Sequence, residues 1–516
     1  MTNGASKLRL HKFGNGDPLH SLEQTQQVKY LIDYLSDLNA ESILEEPNYF
    51  DRDYLAEFSA FYSVSTRGYP NVCRRIHVFA CAVNRRLLRR ASQGNQTAIQ
   101  QLPTSYLGFI VIRPIKAAPL GRTVVVWYPE NKPHTPRITE PMRDYRVNIA
   151  GFSLKVKGLA WQQQDTGVGA CATIGLWIML HSSAFDDHHA IPTTAQITQS
   201  AHSTASLGAR VFPSKGLTIE QICEAIKGNK LAPMVFEGDV KTSNGDVIGF
   251  SRVRFSAACA SLIRSGYPVL IVGLLEGIGL HAVCAVGFRS STPVPPKNGD
   301  PVVSQESNID HIYIHDDNIG PNVRFEIESD ATSNFVRLKR SAPPPPPGVN
   351  RLNTASYPNL IPKRLVVAVH EDLRTSPDQL HQCGMMKAHK IFSALSGLLK
   401  SAGHDPLPLS FSTRFIKLSE YIGRELNNTL GNNPKLLGKV RLALWEKVPP
   451  MSLHIGVVRI GAWDATPLID ILFDTTDSDR NHPVFANVCY QSVSTQLAQY
   501  LATTEGEEFG ISVEAF

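Results

Sequence analysis

The chain lacks most of the features that would sort it at a glance. Its eight cysteines (73, 81, 171, 223, 259, 284, 383 and 489) contain no CxxC pair and no repeated spacing. They read as reduced core thiols rather than a disulfide frame. No Gly-rich phosphate loop occurs, so Asp474-Thr-Thr-Asp477 is an isolated likeness to phosphoryl-transfer acids. Internal repeats are absent. Neither sign of charge dominates: a net charge of +5 over 516 residues does not require a polyanionic partner. Residues 1–18 carry no hydrophobic core of the kind a signal peptide needs, which makes the cytosol the expected compartment. Long hydrophobic runs are scarce too. The 22 residues from Tyr267 to Phe288 have only Glu276 and His281 ionisable, yet Gly273, Gly277 and Gly279 interrupt them. Two buried strands joined by a tight Glu276-Gly-Ile-Gly turn explain the run better than a membrane helix, and no membrane partner is expected.

What is present describes a globular protein. Apolar residues make up 42% and charged residues 19%, and the length suggests about three domains. Five consecutive prolines, Pro343 to Pro347, form a stiff spacer that neither a helix nor a central strand absorbs. The expected organisation is an N-terminal α+β domain of unknown role (1–145), a central domain (146–340), a proline-rich linker (341–349) and a C-terminal α+β domain for recognition or partner binding (350–516). Residues 1–340 should form one body and 350–516 a separately folded unit. Residues 19–64 and 74–90 read as helical, and YLGFIVIRPI and RTVVVWYP as strands. In the central part, helices are expected from Cys171, over 218–228, where Thr218-Ile-Glu-Gln221 fits a capping box, and over 256–265. Strands are expected at 268–274, 281–288, 311–316 and 322–328. Beyond the spacer, PKRLVVAVHED, a helix around 385–399 and a hairpin-like pair of strands complete the pattern.

The chemistry concentrates in three segments. Trp161-Gln-Gln-Gln-Asp-Thr-Gly-Val-Gly-Ala-Cys171 sets a cysteine behind a Gly-rich turn, at the head of an apolar helix. There the helix dipole favours the thiolate. About 110 residues on, Gly-Leu-His281-Ala-Val-Cys opens an apolar strand, and Ile-Tyr-Ile-His-Asp316-Asp317-Asn318-Ile-Gly-Pro ends another. A cysteine nucleophile needs a base, a group that orients the base, and donors for an oxyanion. Cys171, His281 and Asp316 supply the first three, with Asp317 and Asn318 as alternative third members. Gln164 is the favoured oxyanion donor, with Gln163 and Gln162 beside it, and Gly167 and Gly169 let the loop turn sharply. His311 and His315 are rivals for the base, but they lie in the strand that should present the acid. A buried helix cysteine is the ordinary fate of such a residue; it is the glutamine cluster and the two downstream segments together that favour catalysis.

These segments, QQQDTGVGACATIGLW, SGYPVLIVGLLEGIGLHAVCAVGF and IYIHDDNIGPNVRFEI, together resemble papain-like cysteine peptidases, most nearly the bacterial branch that includes double-glycine leader peptidases. The resemblance covers about residues 155–330. It departs from the family pattern in a glutamine seven rather than six residues before the cysteine, and in Gly-Ala-Cys-Ala where Cys-Gly-Pro is usual. It implies an α+β papain-like core, with the nucleophile helix packed on an antiparallel sheet, flanked by N- and C-terminal α+β domains. It further implies a Cys-His-Asp peptidase or amide hydrolase that acts on a protein or peptide through an acyl-thioester. The alternatives are a papain-fold binding or scaffold protein without hydrolysis, or a Cys-His acyltransferase or deamidase. No cofactor and no metal are expected.

Other clusters point nowhere definite. Arg74, Arg75, Arg85, Arg86, Arg89 and Arg90 lack an aromatic platform or a nucleic-acid motif, and a solvated helix face or docking onto an acidic neighbour fits them better. Asp186-Asp187-His188-His189 lacks the i, i+4 spacing of a zinc site and reads as an exposed loop.

Overall fold

The computed structural model describes residues 8–129, 137–186, 190–204, 211–290, 301–329, 334–341, 357–431, 433–462, 467–476, 484–505 and 511–516. The architecture is mixed α+β, built on three larger sheets. The first is an antiparallel meander of Arg9–Lys12, Ser42–Tyr49, Cys73–Phe79, Tyr106–Ile112 and Leu120–Val125. Its fourth strand, YLGFIVI, is buried at every position, as its unbroken apolar run requires.

The second sheet carries the His281 and Asp316 segments. Val269–Leu275, Gly279–Ser290, Ile309–Asp316, Gly320–Ser329, Val336–Arg340 and Leu360–Val369 follow one another antiparallel, and the last pairs back onto the first. The result is a closed six-stranded barrel, which removes its own edges. Ala232–Glu237 pairs with Leu360–Val369, and the short strand Arg137–Ile138 with Gly279–Ser290. The third sheet runs Val302–Ser304, Leu409–Lys417, His454–Ala462, Pro467–Asp474, Val484–Cys489 and Ile511–Glu514, with parallel pairings at its two ends.

Several expectations hold. The apolar run from Tyr267 is a hairpin turning at Glu276–Ile278, and no helix among the described residues is long and apolar enough to cross a membrane. Thr218 and Gln221 form a reciprocal capping box on the helix Ile219–Gly228. The helix Arg252–Arg264 ends before Gly266, whose φ of +85° suits glycine. All eight cysteines are free.

Others are corrected. Residues 74–90 are not one helix: Cys73–Phe79 is a strand and only Arg85–Ser92 is helical, with the Asn84 side chain capping the Leu87 N–H. RRIHVF fills the place between two neighbouring strands, so tertiary pairing overrides the local pattern. Residues 19–64 likewise contain a strand, Ser42–Tyr49, between the helices Gln26–Asp37 and Arg52–Ala60. The larger correction concerns the division at 341–349. Leu360–Val369, expected to open a separate C-terminal unit, is the strand that closes the barrel. Val302–Ser304, expected in the central unit, adds instead to the third sheet. The larger apolar core runs from Leu19 to Leu501 across all three sheets, and a second, smaller one is confined to residues 416–515. The proline run itself, and residues 187–189 and 477, lie outside the described residues.

The Cys171 segment forms the helix Cys171–Leu180, with every residue after Cys171 buried. A helix apolar all round has to be enclosed, and this one packs on the Gly279–Ser290 strand and its neighbours. Gly175 permits the closest approach: a Cβ there would stand 2.3 Å from Leu270 Cδ1.

Candidate active site

Three elements converge. Cys171 is the first residue of its helix and is half-buried. Ala170 precedes it as N-cap and offers no side-chain acceptor, so the first N–H groups of the helix keep their donor capacity. His281 lies in the strand Gly279–Ser290, opposite Gly273 of the neighbouring strand, and is buried, near enough to the Cys171 side chain for the thiol to bias its charge. Asp316 ends the strand Ile309–Asp316, where a turn closes back through Gly320. Its Oδ1 stands 3.2 Å from His281 Nε2 although the residues are 35 apart in the chain.

The turn is held from several sides. Asp316 Oδ1 also accepts the Asn318 N–H at 2.9 Å, and Oδ2 accepts the Tyr357 hydroxyl at 2.9 Å. The Trp161 indole N–H donates to the Asp316 backbone oxygen at 3.0 Å. Asn318 Nδ2 lies 3.3 Å from His281 Nε2. When Nε2 carries the proton it donates to Asp316, so the Asn318 amide nitrogen is a contact and not a second hydrogen bond. Asp317 Oδ1 is 3.6 Å from the same ring nitrogen.

Electrostatics follows from burial and charge. Burial works against the His281 imidazolium, but the Asp316 carboxylate, its hydrogen bond, the contact with Cys171 and the Asp317 charge outweigh it. They hold the ring protonated well above the ordinary histidine range. Burial raises the Asp317 carboxyl to about 7, against the pull of His281.

The glutamines part company. Gln164 donates to Asn318 Oδ1 at 2.6 Å and so sits at the site. Gln163 is bound to the loop before Leu120: its backbone N–H donates to the Leu120 oxygen and its side-chain oxygen accepts the Leu120 N–H. Gln162 is buried and donates to Glu57 Oε1 at 2.6 Å. Of the three, only Gln164 is bonded to the turn. The rival histidines are committed elsewhere. His315 Nε2 donates to the Leu159 oxygen and Nδ1 accepts the Asn322 N–H, while His311 lies with Asp310 and Arg289.

Gly167 and Gly169 serve a different purpose from the expected sharp turn. Neither has a positive φ. A Cβ on Gly167 would meet the Phe61 ring at 2.6 Å, and one on Gly169 would meet Ile174 Cδ1 at 2.9 Å. Close packing, not backbone freedom, calls for glycine at both. The turn itself is made by Asp165, whose Oδ1 accepts the N–H groups of Gly167, Val168 and Gly169. Asp165 Oδ2 in turn faces Arg113 Nη1, which also donates to Glu57 Oε2 at 2.9 Å, and Arg113 Nη2 donates to the Gln163 oxygen. All three ionic side chains are buried.

Sequence reading missed Asp165, Arg113, Glu57, Trp161 and Tyr357 as members of this assembly. Asp165-Thr-Gly carries the signature of an aspartate that caps its own turn, which could have identified it. The others reach the site only through the fold. Family models, curated proteins and solved structures were compared with this chain, and none matches it.

Proposed function

We propose that the protein is a cysteine peptidase or closely related amide hydrolase with a papain-like core, in which Cys171 is the nucleophile, His281 the base and Asp316 its orienter. The observation that carries this reading is the convergence of Cys171, at a helix N-terminus, with the hydrogen-bonded pair His281–Asp316 on two barrel strands. His281 Nε2 faces the acid, which leaves Nδ1 for the thiol. The base can then take the thiol proton while Asp316 fixes the tautomer and stabilises the imidazolium. Cys171 attacks a carbonyl carbon, and the oxyanion forms next to the N–H groups that open the helix, with Gln164 as the neighbouring side-chain amide. The imidazolium returns its proton to the leaving amine. Water then hydrolyses the thioester with the same base. Protein or peptide is the proposed substrate class.

Alkylation with iodoacetamide at mildly acidic pH, in the presence of a chelator, tests this. Peptide mass mapping should place the fast-reacting label on Cys171, and Cys171→Ala should lose it. Equal fast labelling of the variant and the wild type ends the proposal.

A further inference from the structure

The chemistry assigned to Cys171 leaves one member of the turn unused. Asp317 is 2% exposed, and neither of its carboxylate oxygens makes a well-formed hydrogen bond, the backbone N–H groups of Asp317 and Asn318 giving it only weak support. Its neighbour Asp316 accepts from Tyr357, from the Asn318 N–H and from His281. A buried carboxylate so weakly supported is costly to keep ionised without a counterpart. Asp317 Oδ1 is aimed at the His281 ring nitrogen that Asp316 already faces.

The spacing of these three groups suits a metal. The distances from His281 Nε2 are 3.2 Å to Asp316 Oδ1 and 3.6 Å to Asp317 Oδ1, and the ligand atoms of the three residues lie within 4.8 Å of one another. Zinc bonds of about 2.0–2.1 Å at tetrahedral angles set neighbouring ligand atoms about 3.4 Å apart. The two measured distances bracket that edge. Charge agrees, since a divalent cation in place of the proton now shared by His281 and the acids would balance both carboxylates. Supporting hydrogen bonds are in place on Asp316 from Tyr357 and from the Asn318 backbone. Access exists as well: a cleft of about 370 Å³, lined by Gln26, Gln27, Leu275, Ile278, Asn318 and Tyr357, opens beside the turn. The sequence raises no expectation of a metal, because 35 residues separate His281 from Asp316 and no ligand spacing joins them.

We propose that His281, Asp316 and Asp317 form a divalent-cation site of the zinc class, and that filling it switches off Cys171 by taking His281 as a ligand. The first half stands on the cluster alone; the second rests on the hydrolase reading. With Nε2 on the metal, the remaining ring proton sits on Nδ1, the nitrogen that the hydrolase reading assigns to the thiol. The imidazole then has no lone pair with which to accept the Cys171 proton.

The test uses the full-length protein, stripped by a chelator that is then removed, and Zn²⁺ titrated against a chromophoric competitor. Wild type and Cys171→Ala should each bind one ion with equal affinity. Asp317→Asn and Asp317→Ala should bind more weakly by about tenfold or more, the loss that removing even a supporting partner produces. Zn²⁺ should slow alkylation of Cys171 in the wild type, and chelator should restore it. No Zn²⁺ binding by the wild type, or equal affinity in both Asp317 variants, overturns the site. So does a thiolate-to-metal charge-transfer band after Co²⁺ substitution, which would make Cys171 a ligand. The two readings fail separately. Alkylation in chelator that ignores Cys171→Ala removes the hydrolase and leaves the metal site, whereas normal alkylation without Zn²⁺ binding removes only the metal site.

Discussion

The indole N–H of Trp161 donates to the backbone oxygen of Asp316 at 3.0 Å, across 155 residues of chain. This bond ties the loop that leads into Cys171 to the turn that faces His281. Trp161 is wholly buried and also bridges to Thr123 of the first sheet through a pair of backbone hydrogen bonds. The two halves of the candidate site are thus held in register by the residue that opens the Cys171 loop.

Trp161→Phe should therefore cost more in reactivity than its packing alone implies. It removes one buried hydrogen bond and part of a large side chain, a loss of about 1–3 kcal/mol in stability. Chemical denaturation measures that loss, and the alkylation rate of Cys171 should fall as well under conditions where the variant is fully folded. A folded variant with an unchanged alkylation rate would show that the two segments do not need this tie.

Arg113 joins the first sheet to the Cys171 loop. Breaking a buried ion-pair network by removing one partner leaves uncompensated charge and typically costs about 3–5 kcal/mol. Arg113→Ala should lose that order of stability, because it strands both Glu57 and Asp165. Paired removal in Glu57→Gln with Arg113→Met should cost less than the two single changes summed, as measured in a double-mutant cycle. Additivity within error would mean that the residues do not act as one unit.

Acid should destabilise the protein through His315. Burial lowers its pKa to about 4, and its ring is committed as an Nε2–H donor to Leu159 and an Nδ1 acceptor from Asn322. The folded chain keeps this ring neutral while the unfolded chain takes up a proton below about 6.5. Stability is therefore present above about pH 6.5 and is lost as the pH falls toward 4, by up to about 3 kcal/mol from this group. Denaturation free energies measured across that window should fall less steeply for His315→Gln than for the wild type. Identical slopes would contradict the assignment.

Much of the site is legible in local patterns because its three main residues sit at element ends. Cys171 heads an apolar run, His281 follows a Gly-punctuated turn, and Asp316 precedes an Asp-Asn-Ile-Gly turn. The helices with caps are legible for the same reason, Thr218 and Gln221 being three residues apart and mutually bonded. What sequence does not carry is pairing at a distance. RRIHVF becomes a strand because Ser42–Tyr49 and Tyr106–Ile112 flank it. Leu360–Val369 joins the barrel because its partner edge is Val269–Leu275, about 90 residues earlier and on the other side of the prolines. A proline run marks a break in local structure and says nothing about which sheet the chain enters next. Tyr357, just beyond it, reaches Asp316 for that reason.

The most direct measurement is trapping of an acyl-enzyme. Metal-stripped protein is mixed with a complex peptide digest, quenched in acid and mapped by mass spectrometry for adducts that neutral hydroxylamine releases. The expected result is a hydroxylamine-sensitive acyl group on the peptide containing Cys171, absent in Cys171→Ala and strongly reduced in His281→Ala. Peptide cleavage that persists undiminished in Cys171→Ala, or a wild type that neither cleaves nor forms any adduct at Cys171, would contradict it.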